Sequence, residues 1–156
     1  MVSRLASTLS RWVEVGLWLA FAALIITVGL QVFARNVLRV PLIWTLDVAQ
    51  LLFSWLIFVG AAIAYRKGAH YTVDVIPARW RSAGIALEVV GVLAALLVIY
   101  VLVVPGWTNV LIRSTGSISS LDISLMWTVL PLPISGLLML VFLIERVVDR
   151  LAKRDT

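Results

Sequence analysis

Eight acidic residues and one histidine make up the acid, base and ligand repertoire of this 156-residue chain, and cysteine is absent. Disulfides, thiolate metal sites and cysteine nucleophiles are therefore excluded. His70 has no second imidazole to pair with for a metal or haem. It sits beside Arg66 and Lys67 and four residues before Asp74, so it reads as a loop hydrogen-bonding residue that meets Asp74 if the turn is helical. No phosphate-binding glycine loop or nucleophile elbow occurs, and neither an enzyme nor a resident cofactor is expected. The chemistry left is ion or proton coupling by a membrane carboxylate, which requires an acid deep in a span and facing a water-filled path. Glu14, Asp47 and Glu88 fall instead within the first turn or two of their expected helices, where the helix dipole favours a negative charge. Glu145 and Asp149 close the last apolar run, beside Arg146 and Arg150.

The elements that position these groups follow from composition. Hydrophobic residues make up 62% of the chain and charged residues 13%, and the mean hydropathy is +1.07; soluble domains have about 25% charged residues. Apolar runs of about 20 residues cross a hydrocarbon core roughly 30 Å thick. Four are legible, at about 12–34, 45–65, 83–104 and 125–148, with only short connections between them. The expectation is an all-α integral membrane protein of four transmembrane helices in one domain over residues 1–156. The first run is too long for a cleaved signal peptide and reads as a retained span.

The net charge of +5 is sorted by side of the membrane rather than gathered into a nucleic-acid patch. Arg4, Arg11, Arg66, Lys67, Arg79, Arg81, Arg146, Arg150, Lys153 and Arg154 fall on one side, and Arg35, Arg39 and Arg113 on the other. The positive-inside rule then places both termini in the cytoplasm. Trp12, Trp44, Trp80, Trp107 and Trp127 lie near span ends, as interfacial aromatics do, whereas Trp18 and Trp55 do not fit that belt. A short interfacial helix is expected to begin at Pro77, with Trp80 towards lipid.

Asp47, Gln50, Ser54 and Ala61 recur at helical spacing on the second span, flanked by Trp55 and Phe58. Polar side chains in hydrocarbon need hydrogen-bond partners, so this stripe calls for another helix of the same chain or of a second one. Gly84, Glu88, Gly91 and Ala95 form a small-residue face on the third span, read first as internal packing. Pro105 and Gly106 are expected to end that span, followed by a polar, mobile external loop over 113–120. Pro131 and Pro133 should bend the fourth span, since each removes a backbone donor.

The punctuation between Arg35 and Asp74 is more than a lipid-facing helix needs. Arg35 precedes a Pro41-Leu42-Ile43-Trp44 turn, then Thr45 and Asp47. Leu52, Phe53, Trp55, Leu56, Phe58 and Gly60 follow in an apolar helix, and a basic turn holds Arg66, His70 and then Asp74. In this block the chain resembles the small membrane subunit of tripartite ATP-independent periplasmic (TRAP) transporters. It departs from the usual pattern in having Leu46 before Asp47 where two acids are common, and Ile43 where a second proline is frequent. The missing carboxylate leaves any contact of that turn to Asp47.

The resemblance implies a scaffold subunit in the bacterial inner membrane. It would pack against a large multi-span membrane subunit that takes up a solute, often an organic acid, with sodium, after delivery by a periplasmic solute-binding protein. Substrate and sodium sites would then lie on the large subunit. The interface or motif candidates are Arg35, Pro41, Trp44, Thr45, Asp47, Ser54, Trp55, Gly60, Arg66, His70 and Asp74 from the resemblance, with Gln50 from the polar stripe of the second span. Lipid is the other partner. Two further classes compete: a self-sufficient four-helix exporter coupled to protons through Glu14, and a haem-bearing anchor subunit, which needs histidines on facing helices.

Overall fold

In the computed structural model, secondary structure is described for residues 2–68 and 81–152 and side chains for residues 7–68 and 90–148. The helices are α1 (Val2–Phe33), α2 (Ile43–Arg66), α3 (Arg81–Arg113), α4 (Met126–Val129) and α5 (Pro131–Ala152). Strands β1 (Ser117–Ile118) and β2 (Ile123–Ser124) form the only sheet among the described residues. Four segments are long and apolar enough to span a membrane: Ser7–Leu38, Ile43–Arg66, Val90–Arg113 and Met126–Val148. The four-span, all-α reading holds. The expected interfacial helix from Pro77, with His70 and Asp74, falls on residues 69–80, outside the described set.

Each span is apolar nearly all round, so most of its surface faces outwards and a thin seam holds the bundle together. That seam consists of Ala62, Ile63 and Tyr65 of α2, Ala95 and Ile99 of α3, and Met139, Phe142 and Leu143 of α5. Small residues set its spacing. A Cβ on Gly136 would come within 2.7 Å of Val103 Cγ2, and one on Gly106 within 3.2 Å of Leu132 Cβ, so α3 and α5 approach as closely as their backbones allow. Ala95 joins this core, in line with the internal-packing reading of its face.

The chain reverses between α1 and α2 through a π-helical turn, Ala34–Leu38. The buried Ala34 offers its carbonyl to the N–H groups of both Arg39 and Val40, and Arg39 adopts a left-handed conformation with φ 54°. Pro41 follows, and α2 begins at Ile43, where the buried Thr45 hydroxyl donates to the Leu42 carbonyl at 2.6 Å. The turn is thus fixed from both sides by hydrogen bonds of its own chain.

Three expectations need correction. The third span does not end at Pro105 but continues to Arg113. Apolar residues run on past the proline, and in hydrocarbon unwinding the helix would expose many backbone groups where Pro105 removes one donor. The 113–120 segment is not a simple loop, because it enters a β-hairpin in which Ser117 pairs with Ser124 and Ile118 with Ile123. The buried Ile118 anchors it. Finally, α1 starts well before Trp12, so Glu14 lies beyond the third turn of its helix and the dipole argument does not apply to it.

Candidate subunit-interface site

The fourth span breaks at Leu130, between α4 and α5. In an unbroken helix the Trp127 carbonyl would accept from the N–H four residues on, which Pro131 lacks. Trp55 fills the vacancy, its Nε1–H donating to Trp127 O at 3.1 Å. Beside it the Ser54 hydroxyl donates to Thr128 O at 2.6 Å. The two residues that looked out of place on α2, a tryptophan away from the interface and a serine in a span, therefore satisfy the carbonyls at the break. Pro131 is fully buried, which holds the break against the core.

One turn and more towards the start of α2, Asp47 accepts a hydrogen bond from the Ser120 hydroxyl in the hairpin connection. No described Lys or Arg pairs with it. Asp47, Gln50, Ser119, Ser120 and Thr128 line a notch of about 290 Å³ with Ile43, Ile118 and Leu125 as its apolar walls. Gln50 is exposed, and its amide makes no hydrogen bond to a described residue. The polar stripe on α2 thus divides: Asp47 and Ser54 are partnered within the chain, while Gln50 and Ala61 face outwards.

At the other end of α2, about 28 Å away at 1.5 Å per residue, charges join three helices. Arg66 meets Glu145 of α5 through Nε to Oε2 at 2.9 Å and Nη2 to Oε1 at 2.8 Å. The guanidinium carbon also stands 5.5 Å from the centre of the Phe142 ring. Lys67 Nζ meets Glu14 of α1 at 2.8 Å, and Ser10 donates to the same carboxylate at 2.9 Å. These pairs were not legible in the sequence, where Glu14 read as a charge at a helix start and Glu145 stood beside Arg146 and Arg150. Partners distant in sequence become visible only once α2 lies against both α1 and α5.

Above the Lys67 and Glu14 pair a lateral cleft of about 380 Å³ opens between α1 and α2, lined by Leu17, Trp18, Phe21, Leu56 and Gly60. Trp18, 71% exposed, belongs to this cleft rather than to an interfacial belt. Trp12, Trp44, Trp107 and Trp127 are also largely exposed; Trp80 lies outside the described residues. With α3 lengthened, Trp107 stands six residues before the helix end.

The sequence-nominated residues do not form one site. Asp47, Gln50, Ser54 and Trp55 gather round the notch and the helix break, and Thr45 is enclosed in the turn beneath them. Arg35 and Pro41 stand exposed in the turn, and Trp44 is 40% exposed. Gly60 and Arg66 belong to the other end. Arg35, Arg39 and Arg113 make no ion pair with a described residue. Among the described residues no group of three or more His, Asp or Glu could hold a metal.

Comparison with known proteins gives two findings. A family model described as "Tripartite ATP-independent periplasmic transporters, DctQ component" matches residues 24–153. The sialic acid TRAP transporter small permease protein SiaQ of Vibrio cholerae serotype O1 is 29% identical over 131 residues, which cover 81% of this chain and 73% of that protein.

Proposed function

The chain belongs to the DctQ component family of tripartite ATP-independent periplasmic transporters, and on that premise we propose that it is the fixed scaffold of a three-part uptake system. It packs against a large membrane subunit in the bacterial inner membrane, with both its own termini in the cytoplasm. The large subunit carries the solute, an organic acid, together with sodium, and a periplasmic binding protein delivers that solute. The V. cholerae relative's name refers to sialic acid, which fits an organic acid as the class of cargo.

One observation supports this reading most directly. The described carboxylates of the spans are each tied to a partner: Glu14 to Lys67 and Ser10, Asp47 to Ser120, and Glu145 to Arg66. A coupling carboxylate must be free to exchange its ion with a water-filled path. The seam between α2, α3 and α5 is filled by apolar side chains, and both clefts described above are open rather than enclosed, as suits docking.

The test is a mild-detergent purification of the tagged chain from its native host, with mass spectrometry of what accompanies it. A much larger multi-span protein should co-purify, and Trp44→Ala should lower its recovery while insertion persists. A homo-oligomer that transports alone in proteoliposomes would overturn the reading in favour of the small exporter.

A further inference from the structure

The notch at the start of α2 holds a carboxylate that has a hydrogen bond but no counter-charge, and an amide with no hydrogen-bond partner among the described residues. Asp47 and Gln50 stand about 6 and 10 Å along the axis from Ile43, where α2 begins, inside a 24-residue span. The helix dipole favours the carboxylate at this depth, yet neither group has a cationic partner among the described residues, and a polar partner would shield both from hydrocarbon. Asp47 receives one neutral hydrogen bond, from Ser120, and Gln50 none from the described residues. Ser120 spends its proton on Asp47, and the Thr128 hydroxyl spends its own on the Leu125 carbonyl at 2.7 Å. Asp47 is the only charged residue of the lining, and the donors left in the notch are the exposed Ser119 hydroxyl and the Gln50 N–H groups, neither of them cationic.

Its dimensions select among cations. At about 290 Å³ and open on one side, it is far larger than a dehydrated metal ion needs, and its walls at Ile43 and Leu125 are apolar. A side chain with an aliphatic stem and a cationic head matches both features, since Lys and Arg lay their methylenes on apolar surface while the head finds an acceptor. We propose that the notch receives a Lys or Arg side chain from a transmembrane helix of the large membrane subunit. The cation pairs with Asp47 and takes the Gln50 amide oxygen as its second acceptor. This rests on the scaffold reading above and adds the charge of the partner and the place where it enters. It also explains how the turn works with one acid: Ser120 holds Asp47 in position, and the partner supplies the counter-ion.

A photoreactive p-benzoylphenylalanine at position 50, with a control at Ile112 on α3, is introduced into the whole transporter in cells. Cross-linked peptides are then identified by mass spectrometry. Position 50 should capture a segment of the co-purifying large subunit that contains a Lys or Arg. Asp47→Arg should lower recovery of that subunit by about tenfold or more, since like charges would then face each other across the contact, and changing the captured basic residue to Asp should restore it. Asp47→Asn, which can still accept from Ser120, should keep the chain's melting temperature while weakening recovery. Capture of lipid alone at position 50, or full recovery with Asp47→Arg, while the large subunit still accompanies the unaltered chain, would overturn the notch and leave the scaffold standing. Failure of the unaltered chain to bring down any large subunit would overturn both.

Discussion

Trp55 and Trp127 are joined across the bundle by a hydrogen bond from the Trp55 indole N–H to the Trp127 carbonyl, 3.1 Å long, and that carbonyl is the one Pro131 leaves without its helical donor. A side-chain donor on a neighbouring helix is one of the ways a membrane protein tolerates a proline, since the freed oxygen needs a new partner. The relationship links residues 72 apart in sequence, since a motif tryptophan on α2 serves a proline on α5.

Trp55→Phe should therefore destabilise the chain by about 0.5–2 kcal/mol, the range for a hydrogen bond between membrane helices. An aromatic ring is kept, but the indole N–H and part of the ring volume are lost together, and the double-mutant cycle separates the two. In a Pro131→Ala background the backbone N–H returns to Trp127 and the same change should cost less. Thermal melts of the four proteins in detergent close a double-mutant cycle. Equal costs in both backgrounds would mean that the indole does not compensate for the proline.

Arg66 and Glu145 make the firmest of the electrostatic ties, with side chains 24% and 11% exposed and two parallel hydrogen bonds. Glu145→Gln leaves a largely enclosed guanidinium short of its counter-charge and should cost about 2 kcal/mol or more. Replacing both residues by Leu should recover much of that loss, because the penalty comes from the stranded charge. A double-Leu protein less stable than the single variant would show that the pair itself, through its fork geometry, holds α2 to α5.

Glu14 and Lys67 differ from that pair in exposure, at 31% and 57% for their side chains. Exposed pairs contribute little, because solvent and salt screen them. Glu14→Gln should leave the melting temperature unchanged within error and should leave uptake by the whole transporter intact. Loss of uptake with the fold and complex preserved would return this carboxylate to the role of proton carrier.

Span number and fold class could be read from apolar length alone, because a bilayer imposes one dimension on every helix that crosses it. The start of the α2 motif was legible for a similar local reason: Pro41 and Thr45 act on neighbouring backbone. The ion pairs were not, since Arg66 and Glu145 lie 79 residues apart and Glu145 stands beside Arg146 and Arg150 of its own helix. The extent of α3 was misjudged because Pro105 carries the same local signal in water and in lipid, while its consequence depends on the solvent around it. The hairpin was missed because its strands, Ser117–Ile118 and Ile123–Ser124, are too short to show alternation.

Two glycines should respond oppositely to the same substitution. At Gly136 an added methyl would sit 2.7 Å from Val103 Cγ2 and 3.0 Å from Leu102 Cβ, so α5 must move away from α3. Overpacking of this kind costs about 1–3 kcal/mol, and Gly136→Ala should melt early. At Gly60 nothing stands within 4 Å of the added methyl, and alanine favours the helix by up to about 1 kcal/mol over glycine. The isolated chain should therefore be as stable or more stable with Gly60→Ala. If the cleft it lines is covered by a partner helix, the same methyl should reduce recovery of the large subunit. A variant with raised melting temperature and poorer complex recovery would mark the α1 and α2 cleft as a protein contact, whereas unchanged recovery would assign it to lipid.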